Sequence, residues 1–322
     1  MARDDDTPAL MRTAATALLS SLDDEQRNRV ALAFSDDTRE RLEYRPRPRP
    51  GVPLLDLDAH SRKAAHRLLA TALSPHAYAQ AVTIIGLEEV LDRAERWQRG
   101  RHSDDYWIVV FGDPRRDDAW GWRFEGHHLS VTMTIVGDQV VPTPVFLGAN
   151  PARVEYAGRT VVRPLAPEED LARALLAELT PAARAEAVVA TAPPADIRSS
   201  VSPQVDGVFT PLGIGSGRLG PTARDLLDQL VGAYLDRLPP ALAAAERTRI
   251  AGTELHFAWE GSDRPRTGHY YRVQGSDLLI EYDNTANDAN HAHTVLRRPA
   301  SDFGRDVLAE HYSGVRHPNR RL

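Results

Sequence analysis

Two blocks of strand-forming sequence, 106–151 and 254–297, each follow a block with helical periodicity, and any fold for this chain has to accommodate that order twice. In the first helical block, residues 7–35 read as two helices, with Asp23 and Asp24 where a helix N-terminus favours negative charge. Arg45 to Pro53 is too rich in proline for a helix and reads as an extended connector. Helices are expected over 58–73 and 76–97, the second with Ala77, Ala81, Ile84, Leu87 and Leu91 at steps of three and four. Tyr106 to Phe111 then reads as a buried strand. Trp120 to Ile135 alternates as one long strand containing Gly126, and Gly137-Asp138 turns the chain into Val140 to Phe146.

The second block follows the same order. Residues 167–190 read as helical, and 191–222 as a loop rich in Pro, Gly and Ser in which Gly213-x-Gly215-x-Gly217 is a flexible connector. Helices are expected at 221–237 and 240–249, strands at 254–260, 269–283 and 291–297, and a closing helix at 302–312 capped by Asp302. Three short matches link the blocks. Leu18-Leu19-x-x-Leu22 resembles Leu175-Leu176-x-x-Leu179; Gly51, Arg62 and Leu69 align with Gly213, Arg224 and Val231; and Trp122 to Leu129 aligns with Tyr271 to Leu278. Their offsets differ, so the match requires both an insertion and a deletion. The expected fold class is therefore α+β and internally duplicated. Two halves, 1–160 and 161–322, each pack helices on an antiparallel sheet and are related by a pseudo-twofold within one compact unit. Functional residues are expected where the halves meet.

Composition removes several chemistries. With no cysteine among 322 residues, disulfides, thiolate nucleophiles and cysteine-ligated metal sites are excluded. A net charge of -6 gives no electrostatic footprint for nucleic acid or an anionic membrane. No signal-peptide pattern and no long apolar run occur, so a cytoplasmic location is expected, with a small-molecule substrate as partner and the oligomeric state left open.

The histidines point to a metal. Six of the 12 fall from His256 onward: His256, His269, His291, His293, His311 and His317. In Asn290-His291-Ala292-His293, positions two apart on a strand share a face, so both imidazoles can meet one ion. Glu281 and Asp283 share a face of the preceding strand by the same period, so two carboxylates and two imidazoles can line one patch. Such a set suits Zn, Fe(II) or Mn(II) better than Ca or Cu(I). The first half offers Glu125-Gly126-His127-His128, with His128 the inward candidate ligand by its alignment opposite Asp277 and His127 behind it. His311 can complete the site or orient a ligand. Glu281 is a further candidate ligand or catalytic carboxylate, Asp283 or Glu125 the candidate general base, and Trp122, Tyr271 and Arg272 candidate pocket residues. The reading is a mononuclear metal-dependent enzyme, leaning to a hydrolase over an oxidoreductase; the alternative is a non-enzymatic protein that binds a small ligand or a metal.

Several strings carry a family resemblance: Trp120-Gly121-Trp122 with Gly126-His127-His128-Leu129-Ser130; Pro144-x-Phe146-x-Gly148-Ala149-Asn150-Pro151; Tyr270-Tyr271-Arg272-x-Gln274-Gly275 with Glu281-Tyr282-Asp283; Asn290-His291-x-His293-Thr294; and Asp302-Phe303-Gly304 with His311-Tyr312. Together they resemble the bacterial and fungal family known as domain of unknown function 3500, over nearly the whole chain. The resemblance implies that these motifs are shared features of the family, and it implies no particular reaction. Where the family has a Trp after the His-x-His strand this chain has Leu296, which removes an aromatic wall at that position.

Overall fold

The computed structural model describes residues 6–98, 102–205 and 210–314. Its first half runs α1 (Thr7–Ser21), α2 (Asp24–Val30), β1 (Ala31–Leu32), β2 (Val52–Pro53), α3 (Ala59–Ala72) and α4 (Pro75–Ala94). The strands β3 (Tyr106–Phe111), β4 (Ala119–Gly126), β5 (Leu129–Val136), β6 (Gln139–Val141) and β7 (Val145–Ala149) follow. A separate hairpin, β8 (Val154–Tyr156) and β9 (Arg159–Val162), leads to the second half. That half runs α5 (Ala166–Glu178), α6 (Pro181–Ala187), β10 (Val188–Ala190), β11 (Ile214–Gly215), α7 (Pro221–Leu235), α8 (Pro240–Ile250), β12 (His256–Gly261), β13 (His269–Gln274), β14 (Leu279–Ala286), β15 (His291–Arg297) and α9 (Arg305–Gly314).

Helix starts follow local chemistry. Asp6 accepts from the Ala9 amide at α1, Asp23 and Gln26 form a reciprocal capping box at α2, and Asp58 accepts from Ser61 at α3. Proline occupies the first turn of α4, α6, α7 and α8, where no amide donor is needed.

Four sequence expectations are corrected. The run 120–135 is not one strand: it folds back at His127-His128, so that Gly126 pairs with Leu129, and His128 takes a positive φ of 67°. The run 269–283 likewise folds back between Gln274 and Leu279. Alternation keeps its phase across a connection of two or four residues, so the period alone could not reveal either break. Residues 167–190 are not one helix: Thr180 caps a second helix, and the last three residues are β10. Gly213 to Gly217 is not a loose connector. Ile214 and Gly215 pair with β12, and Gly213 takes φ 83° where a Cβ would also collide with the Phe257 carbonyl, so the position requires glycine.

The strands make a 13-stranded sheet among the described residues, in the order β1-β3-β4-β5-β7-β15-β14-β13-β12-β10. Pairing is antiparallel except at β1 with β3 and β10 with β12. The last main strands of the two halves, β7 and β15, pair in the middle, with His293 opposite Gly148.

The two faces of this sheet differ. One is apolar and packs on the helices through residues such as Trp122, Phe124, Val131, Leu147, Tyr271 and Ile280. The other carries buried polar groups, including Arg123, Glu125, Thr132, Arg272, Glu281 and Asp283. The long segments 33–51 and 191–205 cover parts of it, meeting the sheet at a small apolar cluster of Leu42, Tyr44, Phe146, Ile197 and Val295. Arg123, fully buried, donates to the carbonyls of Thr38, Arg39 and Arg41, and its Nε lies 3.4 Å from Glu125. Glu125 also accepts from the Glu43 amide and faces Arg49. A guanidinium with its carboxylate thus satisfies loop groups that would otherwise be buried unpaired. Replacing Arg123 with Met leaves those groups and Glu125 under-satisfied, so Arg123→Met should lower the unfolding free energy by about 3–5 kcal/mol in a urea titration.

A second buried ionisable group makes stability depend on pH. His269 is fully buried, stacked on Trp259 at 4.9 Å and on Tyr282 at 5.4 Å. Burial, and next the charge of Arg173, push its pKa from the ordinary 6.5 down to about 4, although Glu169 pulls the other way. Glu169 itself is held at about 2: burial would raise it, but the positive charge of His269, Arg163 and Arg173 outweighs that. Between pH 6.5 and 4 the unfolded chain holds a proton on His269 that the folded chain does not. Stability present above pH 6.5 is therefore lost as pH falls to about 4. Denaturant midpoints measured across this range should fall in the native protein and fall less in His269→Phe.

Candidate metal centre

Three imidazoles from both halves converge beside the central strand pair. His291 and His293 lie on β15. His293 sits between Gly148 of β7 and Asp283 of β14. Past Asp283, β14 shifts register and pairs Ala286 with His291, while the His291 amide donates to Asn284 Oδ1. His128 arrives from the β4–β5 turn, whose carbonyl accepts from the Gly148 amide at 2.7 Å. His128 Nε2 and His291 Nε2 are 2.8 Å apart, and His128, His291 and His293 each offer a ligand nitrogen within 4.8 Å of the other two. His128 is only 1% exposed, whereas His291 and His293 are half-buried.

Gly148 makes room for this convergence. A Cβ at that position would lie 2.9 Å from His128 Cδ2 and 3.0 Å from His293 Cδ2, closer than carbon atoms pack. The glycine therefore forms the floor between two rings.

Carboxylates flank the rings. Glu88 of α4 holds His127 Nδ1 at 2.8 and 3.1 Å, and its Oε1 lies 3.4 Å from His128 Nδ1. The His127 and His128 rings lie 3.5 Å apart. On the far side, Asp196 Oδ1 lies 2.7 Å from His293 Nδ1, while Asp196 also accepts from the Ile197 amide and the Tyr44 hydroxyl. Burial would raise the Asp196 pKa, but its hydrogen bond with His293 and the charge there outweigh this and hold it below the ordinary carboxylate value. Asp283 behaves oppositely: burial pushes it up to about 7, with the Asp196 charge adding to the rise and Thr285 and His293 opposing it. Asp196, Asp283 and His293 form a second close group, and Glu88, His127 and His128 a third.

Of the residues expected from sequence, the fold brings together His127, His128, His291, His293 and Asp283. Glu281 is buried elsewhere on the polar face, where it accepts from the Arg198 and Ser199 amides and the Tyr270 hydroxyl. Glu125 anchors the covering segment through Glu43 and Arg49 and accepts from Ser130 of the neighbouring strand. Neither belongs to a close ligand group among the described residues. His311 lies on α9 with its ring against Tyr312, again outside those groups, and His317 lies outside the described residues. The expected pocket residues are packed instead. Trp122 is fully buried in the apolar core. Tyr271 stacks on Tyr282, with its hydroxyl on the Glu168 carbonyl and against Tyr234. Arg272 donates to Thr210.

Sequence reasoning missed Glu88, Asp196 and Gly148. Glu88 carried a signal, since a charge four residues from Ile84 and three from Leu91 falls on the buried face of α4. Asp196 carried none, because it stands in a segment without period.

A family model described as protein of unknown function (DUF3500) matches residues 5–305. The chain belongs to the DUF3500 family. No curated protein and no solved structure matches it. All three converging imidazoles, with Glu88, Asp196 and Asp283, fall inside the DUF3500 match, and His311 falls beyond it. Among the described residues, no helix is long and apolar enough to cross a membrane.

Gly148→Ala should displace both rings at an overpacking cost of about 1–3 kcal/mol. The imidazole resonances of His128 and His293 in a ¹H–¹⁵N spectrum should move, while Gly220→Ala, where a Cβ meets nothing within 4 Å, should leave them in place.

Proposed function

We propose that the protein is a mononuclear metal-dependent enzyme acting on a small molecule, with His128, His291 and His293 as ligands and hydrolysis favoured over oxidation. The observation that carries this reading is the approach of three imidazole nitrogens within 4.8 Å over a glycine floor. Two ring nitrogens bound at zinc distances stand about 3.3 Å apart in a tetrahedral set, so the 2.8 Å between His128 and His291 needs little relaxation. A three-imidazole set without thiolate favours Zn(II), with Fe(II) and Mn(II) next. A divalent ion held there would supply Lewis acidity toward water or a carbonyl oxygen.

Asp283 is the residue we assign as general base. It lies across the strand pair from His293, and burial keeps its proton affinity near neutrality, where a base works best. Glu281 and Glu125 are spent on backbone amides and carry no part of this assignment. The burial of His128 also favours a second reading, a non-enzymatic protein that holds a metal or small ligand. A small-molecule partner and a cytoplasmic setting complete this reading: the mild charge carries no footprint for nucleic acid or an anionic membrane, and the sequence has no signal-peptide pattern.

We propose as well that the chain is an internal duplication of two halves, 1–160 and 161–322, about a pseudo-twofold. Support comes from the element order, which runs helix, helix, edge strand, short strand, helix, helix and four main strands in each half. Gly51 and Gly213 both take positive φ against a strand carbonyl, and Arg123 and Arg272 both donate to backbone carbonyls of residues outside the strands.

Elemental analysis of protein purified without a His-tag tests the metal reading. One Zn, Fe or Mn per chain is expected, lost in His291→Ala/His293→Ala. Metal-free protein that also refuses Zn(II) in titration sinks it. In a Co(II)-loaded sample, azide should change the visible absorption if a coordination position is open, as catalysis requires, and should not if the ion is merely stored.

A further inference from the structure

Each of two rings in the ligand triad turns its outer nitrogen toward a carboxylate. His293 Nδ1 lies 2.7 Å from Asp196 Oδ1, and His128 Nδ1 lies 3.4 Å from Glu88 Oε1. A neutral imidazole carries one proton, and an ionised carboxylate only accepts. The proton of each ring is therefore drawn to Nδ1, which leaves Nε2 with its lone pair. In His128 that Nε2 is the atom 2.8 Å from His291 Nε2, on the side where the three rings converge.

We infer that Glu88 and Asp196 are positioning residues that fix the tautomers of His128 and His293, so that both rings present an unprotonated Nε2 toward the proposed metal. The inference rests on that metal reading and adds the two carboxylates that prepare the site before an ion arrives. His291 then has the complementary role. Facing a lone pair at 2.8 Å, its Nε2 carries the proton in the metal-free protein and donates to His128.

The two carboxylates are themselves held. Asp196 accepts from the Tyr44 hydroxyl at 2.9 Å and from the Ile197 amide at 2.7 Å, and Tyr44 is locked by face-to-face stacking on Phe146 with centroids 4.2 Å apart. Hydroxyl, carboxylate and imidazole thus form a relay of orientation from the covering segments to the ligand. Glu88 is carried by α4 and shared between His127 and His128, so the β4–β5 turn and the helix fix each other. One carboxylate comes from each half, Glu88 to His128 and Asp196 to His293.

The test has two independent readouts. Long-range ¹H–¹⁵N correlation spectra of the metal-free native protein at neutral pH should show His128 and His293 as Nδ1–H tautomers and His291 as Nε2–H. Zn(II) affinity, measured by competition with a chromophoric chelator, should fall about 10–100-fold in Asp196→Asn and in Glu88→Gln. Asp196 is partly exposed, so its variant guards against a folding defect at the buried Glu88. An Nε2–H tautomer at His293 in the native protein, or native Zn(II) affinity in both variants, overturns the inference. If the native protein takes up no Zn(II), the ligand reading fails, and the spectra alone then decide the tautomers.

Discussion

The pairing of β7 with β15 is the interaction on which the rest depends. Each half ends its run of main strands with the one that lies at the centre of the sheet, so the backbone hydrogen bonds between Val145–Ala149 and Ala292–Leu296 join the halves into a continuous layer. A one-residue slip in that pairing would send every side chain of β15 to the opposite face. The present register places His293 against Gly148, the position where no side chain competes with the ring. Histidine and glycine are thus matched across the seam by pairing geometry, and His128, whose carbonyl is bonded to the Gly148 amide, is brought in by the same register.

The buried polar face follows from the size of the sheet. Helices cover one side, and on the other the chain uses segments with little regular structure, whose amides and carbonyls need partners once water is excluded. Arg123, Glu125, Arg272 and Glu281 supply many of them. Charged residues that look like chemistry in the sequence are therefore mostly anchors. This explains why Glu281 and Asp283, two residues apart on one strand face, have separate fates. Glu281 lies under Arg198 and Ser199, while Asp283 reaches the imidazole cluster and has a pKa raised by burial, despite its hydrogen bonds with Thr285.

His-x-His on a strand was legible because period two puts both side chains on one face, and the excess of histidine late in the chain drew attention to it. The contribution of His128 from the first half was also within reach of the sequence, through the alignment of Trp122–Leu129 with Tyr271–Leu278. Its position was not: period two carried straight through the turn at His127-His128, and reading that stretch as a strand sent the two rings to opposite faces. In fact the rings sit together, one bonded to Glu88 and the other beside it. Trp122 and Tyr271 misled in a different way. Large aromatics on strands suit a pocket and a core equally, and helix packing placed them in the core.

By itself the sequence determined the order of a helical block followed by a strand block, twice over, the exclusion of thiol chemistry, and the face shared by His291 and His293. These depend on local period and composition, which neighbours along the chain settle between them. Tertiary structure decided the strand order, the seam at β7 and β15, and which carboxylates meet which imidazoles. Glu88, Asp196 and Gly148 lie tens to hundreds of residues from some of their partners, and only closure of the sheet and burial of the covering segments bring such groups within a few ångströms.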